Sequence, residues 1–179
     1  MFNQYKVVMW LWVDLEMTGL NDSFDVILEI AAIKTDEQLQ SIGEPFESVV
    51  YQSSDVLDAM NDWCQVQHRK SGLIGRVENA TESIEEIEAR ILTWLGDVPS
   101  GSIILCGNSI HTDRLFIRRQ MPLLFEKLHY RMIDVTSFKL CIEAWQARSV
   151  FRSKLVDHRA LSDIQASIDE LKHYKQLMS

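Results

Sequence analysis

From Val7 to Val13 the chain runs through seven apolar side chains, Val7-Val8-Met9-Trp10-Leu11-Trp12-Val13. The run is rich in β-branched and aromatic types and predicts a buried strand. Polar positions then alternate with apolar ones through Asp14, Leu15 and Glu16. Strand side chains alternate between faces, so Asp14 and Glu16 project to the same side, about 7 Å apart at a buried edge. A polar turn at residues 19–25 follows. Further strands are predicted over residues 26–35 and, after a turn containing Gly43 and Pro45, over residues 46–51. Connections this short predict an antiparallel meander.

From about Asp55 the pattern becomes helical. Its clearest stretch is residues 81–95, where Ile84, Ile87, Ile91, Trp94 and Leu95 form one apolar stripe. Ser83 with Glu86 fits a capping box and Gly96 supplies the stop. Ile103-Ile104-Leu105-Cys106-Gly107 predicts a short buried strand leading into a helix that holds residues 113–120. Another short strand is expected over residues 132–135. A closing helix over residues 161–177 carries Ile164, Ile168, Leu171 and Leu177 on one side. Three strands followed by helices interleaved with further strands give an α/β domain with a mixed sheet. With 179 residues and no repeat or Pro/Gly-rich linker, a single domain spanning 1–179 is expected.

Composition narrows the functions. The formal net charge of −8 disfavours a protein that grips long duplex nucleic acid by neutralising phosphates. It leaves room for a small anionic substrate reached through bound metal. No apolar run approaches a membrane span, and the N-terminal stretch lacks a small-residue cleavage site. Cys64, Cys106 and Cys141 are odd in number and widely spaced, which argues against a disulfide framework and a thiolate zinc site. A reducing compartment, by default the cytoplasm, is expected.

Asp14 and Glu16 repel each other and lose hydration where they stand, and nothing basic lies nearby in sequence. A divalent cation with hard oxygen ligands, Mg²⁺ or Mn²⁺, would relieve them; a hydrated strand end would need no metal. Asp113 follows the Cys106-Gly107-Asn108-Ser109 turn. Asp163 begins the last helix, five residues after His158. Taken singly, each acid also suits the first turn of a helix. His158 suits a helix start, and Trp63 suits a core.

Together, Asp14-x-Glu16, Asp113 and His158-x-x-x-x-Asp163 resemble the DEDDh 3′-to-5′ exonucleases, most closely the oligoribonucleases. The similar segments occur in order: Asp14-Leu15-Glu16-Met17-Thr18-Gly19-Leu20, Asp62-Trp63, Ser71-Gly72-Leu73, Cys106-Gly107-Asn108-Ser109-Ile110, His129-Tyr130-Arg131 and Asp134-Val135. The resemblance covers residues 11–174. It implies an RNase H-like fold, an antiparallel meander plus parallel strands flanked by helices. Asp14, Glu16, Asp113 and Asp163 would hold two divalent ions, Mg²⁺ or Mn²⁺. One ion activates a water and the other stabilises the leaving 3′ oxygen, with His158 as general base. By the same resemblance Leu20 and Trp63 sandwich nucleobases. Ser109, Arg131, Thr136 and Ser137 cap the 5′ phosphate of a very short RNA, and a guanidinium forks well onto phosphate oxygens. Thr136 and Ser137 would equally serve as turn and strand-end hydrogen-bonding residues.

Homodimers of this family bring the position of Tyr130 towards the partner's site, so a homodimer is expected. The implied activity is hydrolysis of short single-stranded RNA, dinucleotides included, from the 3′ end to nucleoside 5′-monophosphates. A DEDDh exonuclease for longer single-stranded DNA or RNA, or a non-catalytic dinucleotide-binding module, are the alternatives; the latter would be expected to have lost an acid. The chain departs from the family pattern at His111 and Thr112, at Cys64, and through residues 147–156. Glu29, inside an apolar strand, is assigned to structure.

Overall fold

The computed structural model describes residues 9–146 and 159–178. In chain order the elements are β1 (Met9–Met17), β2 (Ile27–Thr35), β3 (Phe46–Val49), α1 (Ser54–Asp58), α2 (Asp62–Lys70), α3 (Leu73–Glu78), α4 (Ile84–Leu95), β4 (Ile103–Gly107), α5 (His111–Gln120), α6 (Pro122–Lys127), β5 (Leu128–Asp134), α7 (Val135–Gln146) and α8 (Ala160–Leu177). The strands form one sheet in the order β3-β2-β1-β4-β5. The meander β1-β2-β3 is antiparallel, whereas β4 joins β1, and β5 joins β4, in parallel. This is the expected RNase H-like mixed sheet.

Alternation along β1 divides its side chains between two helical layers. Leu11, Val13 and Leu15 pack with Ile87, Ile91, Phe116, Ile117 and Leu124 from α4, α5 and α6. Trp12 faces the other way, onto Val135 and Ile142 of α7 and Ile164, Ile168 and Tyr174 of α8. Its indole Nε1 donates to Thr35 Oγ1 at 3.0 Å, so even this fully buried ring has its polar atom satisfied. A smaller cluster gathers α1, α2 and α3 around Leu28 of β2. The sheet is therefore buried on both faces, and that is why β1 and β2 read as nearly continuous apolar runs.

The capping box of α4 is present, with Ser83 Oγ accepting from Glu86 N and Glu86 Oε2 accepting from Ser83 N. The third strand ends at Val49 rather than at residue 51, because Tyr51 N turns away to bond Glu82 O. The fifth strand begins earlier than its apolar part suggests, at Leu128, and stops at Asp134; Val135 opens α7. Cys64 and Cys106 are buried, Cys141 is exposed, and all three are free. Among the described residues no helix is long and apolar enough to cross a membrane.

Candidate active site

Strands β1, β4 and β5 run in the same direction, so their carboxyl ends and following turns open on one edge of the sheet. Parallel sheets commonly bind ligands just outside such an edge. Asp14 and Glu16 lie near the end of β1, on the face shared with Trp12. Helix α8 covers that face and brings Asp163 from its first turn. One carboxylate oxygen from each of Asp14, Glu16 and Asp163 falls within 4.8 Å of the others. Asp113 reaches the same strand from α5, and its Oδ1 accepts the backbone N–H of Leu15 at 3.1 Å. It is buried between helix and strand.

The electrostatics follow from this crowding. Burial first, then the charges of Glu29, Asp163 and Asp113, push the Glu16 carboxyl up from 4.5 to about 8. Burial likewise pushes Asp113 up from 3.8 to about 7, against the backbone N–H bonds that favour its charged form. A divalent cation beside these acids would offset both their burial and their mutual repulsion. The donors are hard carboxylate oxygens, which fit Mg²⁺ or Mn²⁺.

The exonuclease family model RNase_T matches residues 11–171. The oligoribonuclease of Nitrosomonas europaea is 44% identical over 168 residues, 93% of this chain and 93% of its own length. The chain belongs to the oligoribonuclease family. It is thus a hydrolase of the exonuclease class. A probable oligoribonuclease of Dictyostelium discoideum is 45% identical over 166 residues, covering 92% of this chain and 87% of its own length. Among solved structures, exonuclease I of E. coli in complex with an oligonucleotide superposes with a TM-score of 0.74 at 20% identity. That likeness, which bears on the fold, covers 96% of this chain and 41% of the longer protein.

The remaining described residues expected from the oligoribonuclease pattern lie apart from the acids. Leu20, just past the end of β1, and Trp63, at the start of α2, are both strongly exposed. The loop of Leu20 is tied down by Asp25, whose carboxylate accepts from Thr18 Oγ1 and Asn21 N, both at 2.9 Å. The loop wraps that carboxylate so closely that a Cβ at Gly19 would lie 2.5 Å from it. Trp63 stands on α2, which His68 docks against the end of β1.

Ser109, in the turn after β4, meets Thr136, in the first turn of α7. Ser109 takes a left-handed φ of 50°, and its N–H donates to both Asp134 Oδ1 (3.0 Å) and Thr136 Oγ1 (3.1 Å). The two hydroxyl oxygens are 3.3 Å apart. Arg131 and Tyr130 stand instead on the outer edge of β5, both exposed, with the guanidinium 5.1 Å from the ring centroid. No hydrogen bond joins the Arg131 guanidinium to Ser109 or Thr136 among the described residues. Ser137 lines an apolar groove of about 230 Å³ with Phe138, Cys141, Ile142, Trp145 and Met178. His158 and residues 147–156 lie outside the described residues.

Four features of the site are absent from the expected set. His68 is buried, and its Nε2–H donates to Met17 O at 2.9 Å while Nδ1 faces Glu16 Oε2 at 3.8 Å. Its one sequence signal is its spacing of four from Cys64, which places both on the buried face of an otherwise polar helix. Asp134 pins the turn by accepting from both Ser109 N and Thr136 N on one oxygen. Asn108 bridges Thr136 to α8. Glu29 sits directly across from Glu16 in the β1–β2 register, paired with Arg76 at 2.7 Å. Glu29 is thus held in a buried ion pair, and its charge raises the proton affinity of its neighbour Glu16.

Proposed function

We propose that this chain hydrolyses very short single-stranded RNA, dinucleotides included, from the 3′ end to nucleoside 5′-monophosphates. The observation that carries the reading is the convergence of Asp14, Glu16 and Asp163 within 4.8 Å beside buried Asp113. Two divalent ions, Mg²⁺ or Mn²⁺, held by these four acids would ease deprotonation of the attacking water and offset charge on the leaving 3′ oxygen. His158 takes the proton of the water as general base, a role that suits imidazole because its ordinary pKa lies close to neutrality.

The chain's other residues bind and orient. Exposed Leu20 and Trp63 take the two bases between them, which suits any sequence because every base presents a π-face. The Ser109–Thr136 hydroxyl pair, with Ser137 and Arg131, closes on the 5′ phosphate. A longer chain would collide with that cap. Support for a homodimer comes from β5, an edge strand that exposes Tyr130 and Met132, and from Leu140 and Trp145 exposed on α7. Tyr130 then reaches towards the site of the partner copy. The net charge of −8 fits a short anionic substrate held through metal rather than a long duplex. Three free cysteines fit a cytoplasmic setting.

A 5′-labelled RNA ladder incubated with Mn²⁺ or Mg²⁺, with and without EDTA, tests the reading. Dinucleotides should disappear fastest and EDTA should stop all turnover. Equal or better turnover of long single strands would instead identify an exonuclease without a length cap.

A further inference from the structure

The Ser109–Thr136 pair and Asp163 on α8 are joined through two side chains, Asn108 and Ser167. Asn108, the residue immediately after β4, accepts from Thr136 Oγ1 on its Oδ1 at 3.2 Å. On its other end Nδ2 donates to Ser167 Oγ at 2.9 Å and to Glu170 Oε2 at 3.1 Å. Both partners are buried on α8. Ser167 Oγ donates in turn to the backbone O of Asp163, one helical turn back, at 2.9 Å. Glu170 is fixed from its far side by the fully buried Tyr174, whose hydroxyl donates to Oε1 at 2.6 Å. An uninterrupted path of hydrogen bonds therefore runs from the first turn of α7 to the backbone of Asp163.

A hydroxyl has a single proton to give. The proton of Thr136 is committed to Asn108, while its oxygen accepts the N–H of Ser109. A phosphate oxygen offers acceptors only. For Thr136 to donate to a phosphate, its proton must leave Asn108 Oδ1, which loses one of the three bonds that orient the amide. The amide then settles differently against Ser167 and Glu170, and α8 with Asp163 responds.

We propose that Asn108 is a positioning residue that couples occupancy of the 5′-phosphate cap to the placement of Asp163, so that the terminal phosphate of a short RNA raises kcat as well as tightening binding. The proposal rests on the reading of Ser109 and Thr136 as a phosphate cap. Asn108 touches no reacting atom and acts only through Thr136 and α8.

The test compares 5′-phosphorylated and 5′-hydroxyl dinucleotides in steady-state kinetics with saturating Mn²⁺, using the full chain, Asn108→Ala and Ser167→Ala. In the unaltered protein the phosphate should raise kcat on the order of tenfold and also lower KM. In Asn108→Ala the ratio of the two kcat values should fall towards one, while the ratio of KM values stays. Ser167→Ala, which removes one bond on the helix side, should shift the kcat ratio in the same direction by less, and it carries the test if Asn108→Ala does not fold. A merely structural role would lower both kcat values in proportion. An unchanged kcat ratio in both variants overturns the coupling. A parent protein whose kcat and KM both ignore the 5′ phosphate overturns the cap, and the coupling with it.

Discussion

The Asp113 carboxylate accepts a backbone N–H, that of Leu15, which separates Asp14 from Glu16. An amide in its place keeps an acceptor for that N–H but carries no charge. Asp113→Asn should therefore fold normally and lose at least about 100-fold in turnover, since a hard cation requires the anionic ligand. Near-normal turnover in a ribonucleotide release assay would remove Asp113 from the metal set. Trp63 offers a complementary case on the binding side. Trp63→Ala should weaken dinucleotide binding by about 1–3 kcal/mol in a calorimetric titration and leave kcat comparatively unaffected. Unchanged affinity would return the ring to a packing role. At this scale the acids could be read from the chain because strand alternation puts Asp14 and Glu16 on one side. Asn108 and His68 could not. Asn108 meets Glu170 across 62 positions, and His68 meets Met17 across 51. No local period records contacts that distant.

Among elements, α3 has the closest bearing on the acid cluster without touching it. Arg76 of α3 reaches Glu29 on β2 at 2.7 Å and Glu47 on β3 at 3.5 Å; Arg159, just before α8, also reaches Glu47 at 3.4 Å. Glu29 is nearly inaccessible, and its Oε2, like Nη2 of Arg76, has no partner among the described residues. Breaking such a pair from one side leaves a buried charge stranded. Arg76→Met should accordingly lower stability by about 2–3 kcal/mol, discounted from a fully buried pair because the arginine is a third exposed. Adding Glu29→Gln to Arg76→Met should recover part of that loss. Chemical denaturation of the two single variants and the double variant measures the coupling, and strict additivity would show that the pair does not act as one. The long helices α4 and α8 were legible because each has an apolar stripe. The short α6 and the long α7 were not anticipated. Nor was the start of β5, because His129-Tyr130-Arg131 forms the polar part of an edge strand and carries no alternation.

For the molecule as a whole, the crowded acids make metal, protons and stability one linked problem. Glu16 rises from 4.5 to about 8 and Asp113 from 3.8 to about 7, so the folded metal-free chain holds protons that the unfolded chain has already released. Stability from these groups is fully present below about pH 4 and is lost as pH climbs through 7 and 8. A divalent ion binds the deprotonated carboxylates, so it should release protons on binding and restore the loss most at high pH. Melting temperatures measured in EDTA from pH 5 to 8 isolate the effect when the parent is compared with Glu16→Gln. The parent should fall increasingly behind the variant as pH rises, because the amide has no charge to bury. Adding Mn²⁺ should reverse the order at pH 8, since the variant has lost a ligand. A difference in melting temperature that stays flat with pH would mean that Glu16 is hydrated and already ionised in the free protein, and a divalent ion would then bind without displacing its proton.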